Sequence, residues 1–197
     1  MSTATSVISI YQESTPNPQQ MKFVVNRMLY ARKTIDFPNA EAVNGQSNFA
    51  EGLFKLEGIK AVFIANNFVT IGKKDDKEWM EIVPEIKAYI KSYIESGNDL
   101  INLEKVEEII AETSPTNEDS DSIEAKIKDL LAKYVQPAVE MDGGSIVFRN
   151  YQDGIVTLGM QGACSGCPSS TITLKAGIEG MMKRMIPDVK EVIAENM

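Results

Sequence analysis

Two cysteines are the only thiols in this chain of 197 residues, and their spacing is its strongest chemical signal. Cys164 and Cys167 lie in the run GACSGCP at residues 162–168. A spacer of two residues lets both sulfurs point into one small site, where thiolates either bind a soft metal or exchange with a disulfide. One chain therefore supplies only half of a four-thiolate site.

Three uses of such a pair compete. Two copies of the loop, facing each other across a two-fold axis, would supply the four thiolates that hold an iron–sulfur cluster or bridge a zinc ion. A single chain would suffice for a thiol–disulfide oxidoreductase that cycles through a Cys164–Cys167 disulfide. The pair could also be an inert structural feature. Spacing alone leaves these alternatives open.

The chain contains no histidine, which removes several classes of site. It cannot build a Cys₂His₂ zinc site by itself, a Rieske ligand set, or a Ser-His or Cys-His nucleophile. Its 28 acidic residues show no paired-carboxylate spacing that stands out. No GxxxxGK[ST] loop follows a strand pattern. We therefore expect neither a hydrolytic enzyme nor a bound nucleotide.

The net charge of −8 is concentrated in one segment. Residues 99–124 hold nine acids and one base, and the 19 acids and 19 bases elsewhere cancel. Neither flanking region has the basic excess that phosphate binding needs, so nucleic acid is not an expected partner. Residues 113–122 contain no apolar side chain and are typical of a solvated linker.

The sequence shows no targeting or membrane segment. The first ten residues lack both a basic residue and a long apolar run. No stretch reaches the roughly 18 consecutive apolar residues of a membrane span. We expect no membrane partner and a reducing cytoplasm, where both thiols stay free.

The elements that position the cysteines are predicted from caps, periodicity and turn residues. They are a helix capped by Ser122, a turn at 142–144, strands at 145–150 and 155–160, a helix opening at Pro168, and a last strand within 189–194. This order places both thiols just before a helix N-terminus, where free N–H groups and the helix dipole favour thiolate. We therefore expect lowered thiol pKa values. The apolar residues from Ile172 to Met185 are expected to face inward.

A separate pattern of elements precedes the acidic segment. It predicts a strand at 21–25, a short helix at 49–56, a hairpin of strands 61–64 and 68–71, a helix from Trp79 to Tyr93, and a short helix at 103–110. Asn66 and Asn67 form the hairpin turn because asparagine tolerates left-handed backbone angles. The helix carries one apolar stripe, which can cover a face of the hairpin.

Together these patterns predict an α+β protein of two small mixed domains. The first spans residues 1–98, an acidic helix and linker span 99–122, and the second spans 123–197. The second domain has the order helix, strand, strand, helix, strand, with the cysteine loop before its second helix. Its caps and turns restart after the linker, which favours a separate domain over a tail.

The cysteine run carries a resemblance to a known family. The segment VEMDGG at 139–144, followed by a hairpin and then GACSGCPSST at 162–171, resembles the C-terminal iron–sulfur domain of NifU over about residues 123–195. The stretch from Thr15-Pro16-Asn17-Pro18 through Met21-Lys22-Phe23 to a helix ending near Ser96 is similar to the domain that precedes it in NifU-like proteins.

The resemblance implies an iron–sulfur cluster scaffold or carrier. In that reading Cys164 and Cys167 of two protomers bind one [4Fe–4S] cluster per homodimer, which is then transferred to apo iron–sulfur proteins. The N-terminal domain of the family lacks cluster ligands, and this chain has no cysteine before Cys164. Full-length NifU has further cysteine-rich domains, so the resemblance favours a late-acting carrier. The remaining alternatives are the oxidoreductase and a zinc-bridged interaction module.

Overall fold

The first half of the chain forms a five-stranded antiparallel sheet in the order β1-β2-β5-β4-β3. The computed structural model describes residues 7–113, 122–165 and 168–196. The strands are β1 Ile10–Ser14, β2 Gln20–Val25, β3 Tyr30–Phe37, β4 Ile59–Asn66 and β5 Phe68–Lys73. The predicted hairpin is confirmed as β4–β5. Asn66, at the end of β4, has a positive φ of 35°. Strands β1 and β3 were not predicted.

Three helices accompany this sheet. They are α1 Asn48–Phe54, α2 Trp79–Glu95 and α3 Leu103–Thr113, with a 3₁₀ turn at Glu41–Val43. The stripe of α2 is buried at Ile82, Ile86 and Ile90, as predicted, and Ile94 is buried as well. It joins one core with the inward side chains of the sheet. Residues 7–113 are called the N-terminal unit below.

The second half begins with a nearly continuous helical segment. Helix α4, Ile123–Leu130, is capped by the Ser122 side chain, which accepts from the Ala125 N–H at 3.1 Å. A π-helical turn at Leu131–Val135 leads directly into α5, Gln136–Met141. Pro137 lies in the first turn of α5, where proline is common.

A three-stranded sheet follows, in the order β6-β7-β8. Strands β6 Gly144–Gln152 and β7 Ile155–Gly162 form an antiparallel hairpin, and α6 Pro168–Met185 crosses to β8 Glu191–Asn196, which pairs parallel with β7. Ile178 and Met182 of α6 are buried in the core of this C-terminal unit, residues 122–196. The inward placement of Ile172 and Met185 was wrong, because they are 70% and 51% exposed.

The N-terminal sheet is covered on both of its faces. The helices cover one face, and alternate residues place Val24, Phe63, Ala65 and Phe68 in a separate buried cluster on the other. This second face lies against the C-terminal unit, where β7 contacts β4 and β5. All residues of β5 are buried, in keeping with a strand that is covered from both sides.

The described residues confirm the mixed α+β class. Ile101 and Val106 of the acidic segment pack into the core of the N-terminal unit. Among the described residues, no helix has the length and apolar character needed to cross a membrane.

Candidate functional site: the cysteine loop

Cys164 lies two residues beyond the end of β7, in the turn that leads towards α6. Its side chain joins the core of the C-terminal unit, and the residue is 5% exposed. The Ser165 N–H donates to the Gly162 carbonyl at 2.9 Å and closes the turn. Cys167, the second predicted ligand, and Gly166 lie outside the described residues, so their expected roles remain predictions.

Two glycines of the 142–144 turn hold the cysteine loop in place. Gly144 pairs with Gly162 in the β6–β7 register, and the Ala163 N–H donates to the Gly143 carbonyl at 3.2 Å. A Cβ atom at Gly144 would lie 2.5 Å from the Cys164 Sγ. Gly143 has a φ of +84°, which side chains rarely adopt. The turn therefore sets the position of Cys164 as well as reversing the chain.

The Cys164 thiol is protonated in this conformation. Burial raises its pKa to about 12, and the carboxylate of Asp142 adds to the effect. The predicted lowering of the pKa was wrong for Cys164. Its sulfur packs into an apolar core four residues before α6 begins, so desolvation outweighs any stabilisation by the helix N-terminus. A metal or cluster that binds Cys164 must therefore displace this proton.

The N-terminal unit contacts the backbone on both sides of Cys164. The Asn17 side-chain amide donates to the Ser165 carbonyl at 3.2 Å. The Gly162 N–H donates to Oδ1 of Asp36 at 3.4 Å. Burial raises the pKa of Asp36 to about 7, although the hydrogen bond from Gly162 opposes the rise.

The N-terminal unit also contacts the neighbouring 140–143 segment. The Thr70 hydroxyl donates at 2.7 Å to the Gly143 carbonyl, which is the acceptor that also holds Ala163. The Lys22 ammonium donates to the carbonyls of Glu140 and Met141, each at 3.1 Å. These carbonyls belong to the last turn of α5, where the helix dipole favours a cation.

These N-terminal contacts were not predicted. Asn17 entered the sequence analysis through the family resemblance, Lys22 and Thr70 lay in predicted strands, and Asp36 did not enter it. One feature of the sequence did indicate that the sheet is covered on both faces. The runs at 61–64 and 68–71 are almost continuously apolar, a pattern typical of strands buried on both faces rather than on one.

The described residues contain no group of three or more cysteine, aspartate or glutamate side chains that could hold a metal ion. Any thiolate ligand of a metal or cluster would therefore come from the cysteine loop. With two cysteines in the whole sequence, one chain offers two thiolates. A four-thiolate site needs two such loops.

The fold and site define a two-unit α+β protein with a glycine-lined thiol loop, and both units match described protein families. Residues 10–97 match the family described as the scaffold protein Nfu/NifU N-terminal domain. Residues 127–193 match the NifU-like domain family. The chain belongs to the Nfu/NifU family.

Similar proteins span both units. The NFU1 iron-sulfur cluster scaffold homolog, mitochondrial, of Drosophila ananassae is 40% identical over 189 residues, which is 93% of this chain and 63% of that protein. The human protein of the same name is 38% identical and covers 93% of this chain and 70% of its own length. The chain spans about three fifths of the length of the curated relatives from Drosophila, at 60–64% for the first three.

Solved structures also resemble parts of the chain. The solution structure of a NifU-like protein from Saccharomyces cerevisiae is 29% identical, with a TM-score of 0.46, and covers 52% of this chain and 91% of its own. The crystal structure of protein SAV1430 from Staphylococcus aureus is 23% identical, with a TM-score of 0.37, over 42% of this chain and 98% of its own.

Proposed function

We propose that this protein is a non-enzymatic carrier of iron–sulfur clusters. Two copies of the chain bind one [4Fe–4S] cluster as cargo through Cys164 and Cys167 of each, and then pass it to apo iron–sulfur proteins. The observation that carries the proposal is the position of the only thiol pair in a glycine-lined loop of an Nfu/NifU chain. The relatives named above are described as iron–sulfur cluster scaffolds.

The chemistry of the donors fits this cargo. Thiolates are the usual ligands of iron–sulfur clusters, and a cubane takes four of them. Small residues on either side of Cys164 let the backbone come close to inorganic sulfide and donate N–H groups to it. A cluster shared between two chains can be released thiolate by thiolate to an acceptor with cysteines of its own.

Anaerobic reconstitution with iron and sulfide tests the proposal. Native mass spectrometry and an absorption spectrum are recorded on the same sample. We expect a dimer with four iron and four sulfide ions, and incubation with an apo iron–sulfur protein should move the cluster to that protein. The variants Cys164→Ser and Cys167→Ser should each lose the cluster, whereas Ser165→Ala, a matched change within the loop, should retain it.

Other outcomes identify the alternatives. A colourless monomer that forms and releases a Cys164–Cys167 disulfide at a defined potential would make the chain a thiol–disulfide oxidoreductase. A dimer that binds one zinc ion and no cluster would make it a zinc-bridged module. A full cluster on Cys164→Ser would contradict the ligand assignment.

The compartment is also a proposal. Cluster transfer through free thiols needs a reducing environment, which supports the predicted cytoplasm. The relatives from Drosophila and human carry the word mitochondrial in their names. Fractionation of cells that express the full-length protein, followed by immunoblotting, distinguishes these two compartments.

A further inference from the structure

The face of the N-terminal sheet opposite its helices is built to hold another surface. Strand periodicity directs Lys22, Thr70 and Asp36 to this face, together with the apolar cluster that contains Phe63 and Phe68. The side chains of this apolar cluster are buried in the described structure. Phe63 lies so close to Gly162 that a Cβ there would come within 2.9 Å of its ring.

The polar groups on this face are paired with main-chain groups of the C-terminal unit. Asn17, Lys22 and Thr70 donate to backbone carbonyls, and Asp36 accepts from a backbone N–H. Asn17 is 6% exposed and Thr70 is 1% exposed. Among the described residues, no buried side-chain nitrogen or oxygen lacks a hydrogen-bond partner. Shape and polarity on the two sides are therefore matched.

Lys22 shows this matching most clearly. Its ammonium lies 4.6 Å from the centre of the Phe68 ring and 3.3 Å from a carboxylate oxygen of Glu13. It also donates to the carbonyls of Glu140 and Met141 across the contact. The two carbonyls belong to the C-terminal unit, so this pair of hydrogen bonds exists only when the two units are in contact, which we call the closed arrangement.

We propose that this face is a seat for the glycine-rich loops of the C-terminal unit, and that the seat must release them before Cys164 can bind a cluster shared with a second chain. The requirement for release rests on the proposed function. In the closed arrangement the N-terminal unit holds the Gly162 N–H and the Ser165 carbonyl, which flank Cys164. A second cysteine loop must approach this same short segment to share a cluster, so the two contacts compete.

Chemical labelling of the full-length apo chain tests the seat. Acetylation of Lys22 and alkylation of Cys164 are followed by site-resolved mass spectrometry, with the exposed Lys55 as an internal reference. Thr70→Val keeps the shape of the side chain and removes the donor to Gly143. We expect both labelling rates to rise about three- to tenfold, the equilibrium shift that one hydrogen bond is worth.

Two further variants make this result decisive. Lys55→Met changes a lysine of the same unit that lies outside the contact, and its Cys164 alkylation rate should match that of the wild-type protein. Asn17→Ala removes the donor to Ser165 and should act like Thr70→Val even if the latter folds poorly. Folded Thr70→Val and Asn17→Ala proteins with wild-type labelling rates would overturn the seat.

The requirement for release is tested on the wild-type protein. Its Lys22 acetylation rate, divided by that of Lys55, is compared before and after anaerobic loading with iron and sulfide. We expect the ratio to rise about threefold or more on loading. A loaded dimer with the apo ratio would overturn the requirement for release. Failure to bind any cluster would overturn the proposed function and, with it, the requirement for release. The Thr70→Val comparison would still decide whether the seat exists.

Discussion

At the scale of single residues, the position of Cys164 depends on what its neighbours lack. Gly144 leaves the space that the Cys164 sulfur occupies, and Gly162 leaves the space against which Phe63 packs. Both glycines come from the hairpin whose register places them opposite each other. The glycine-rich composition of the loop therefore serves close packing as well as backbone freedom.

Gly144→Ala should displace the cysteine loop. The added methyl group would meet the Cys164 sulfur at 2.5 Å and the Gln161 carbonyl at 2.8 Å. Overpacking of this kind costs about 1–3 kcal/mol in the free energy of unfolding. Urea denaturation measures the loss. Gly177→Ala is the matched control, because nothing lies within 4 Å of its added Cβ, and in a helix it should stabilise by about 0.5–1 kcal/mol. Equal effects of the two variants would contradict the packing argument.

Asp36→Asn should separate the electrostatic cost of Asp36 from its hydrogen bond. Burial raises the Asp36 pKa from 3.8 to about 7 in the folded state. Between these values the unfolded chain is ionised while the folded chain stays protonated, so the contribution of Asp36 to stability falls as pH rises through this window. The full loss is on the order of 4 kcal/mol. Asparagine does not titrate and can still accept from Gly162.

Urea denaturation at pH 4 and pH 7.5 checks this expectation. The stability of Asp36→Asn relative to wild type should increase from the lower to the higher pH. Asp36 lines a cavity of about 260 Å³ together with Lys60 and Lys73. A stability difference that is the same at both pH values would show that Asp36 keeps an ordinary pKa.

At the scale of elements, α1 and α4 each begin where a serine side chain accepts from one of the first N–H groups of the helix. Ser122 caps α4, and Ser47 caps α1 by accepting from the Ala50 N–H at 3.0 Å. The two caps differ in their surroundings. Ser47 is fully buried and also donates to the Leu100 carbonyl at 2.6 Å, which ties α1 to the segment after α2.

Ser47→Ala should therefore destabilise more than Ser122→Ala. Loss of a cap alone costs about 1 kcal/mol, which is the expectation for Ser122→Ala. Ser47→Ala also removes the donor to Leu100, and an unpaired carbonyl adds about 1–3 kcal/mol. Urea denaturation followed by circular dichroism compares the two. A larger loss for Ser122→Ala would mean that the hydroxyl of Ser47 contributes little beyond its shape.

At the scale of the whole molecule, the N-terminal sheet connects two cores. Its helix-facing side completes the first core, and its opposite side meets the C-terminal unit through Phe63 and the polar contacts around it. The Cys164 side chain is buried in the core of the C-terminal unit, and the N-terminal unit holds the backbone on both sides of it. Access to the cysteine loop therefore depends on how the two units are arranged.

Phe63→Ala and Phe49→Ala should distinguish the two faces of the sheet. Both rings are almost fully buried, at 1% and 0% exposed, so each truncation should cost about 3–5 kcal/mol. Phe63 contacts the C-terminal unit, whereas Phe49 packs against Tyr89 and Tyr93 inside the N-terminal unit. Only Phe63→Ala should also speed alkylation of Cys164. Equal alkylation rates in both variants would place Phe63 outside the contact.

The sequence by itself determined most elements and predicted a thiol site. The β4–β5 hairpin, the α2 stripe, the Ser122 cap and the β6–β7 hairpin follow from local periodicity and turn residues, which act within a few residues of each other. The thiol pair follows from residue type and spacing. The family resemblance follows from the residues on either side of the two cysteines. Strands β1 and β3 carry weaker patterns, since their alternation is interrupted by polar residues.

Only the tertiary structure decided how the units meet and what state Cys164 is in. The hydrogen bonds that join the units connect residues more than 70 positions apart, and most end on backbone groups that every residue type possesses. Residue type cannot reveal which carbonyl a distant donor will reach. The pKa of Cys164 was misjudged for the same reason, because local sequence shows the nearby helix N-terminus and not the core that removes the thiol from water.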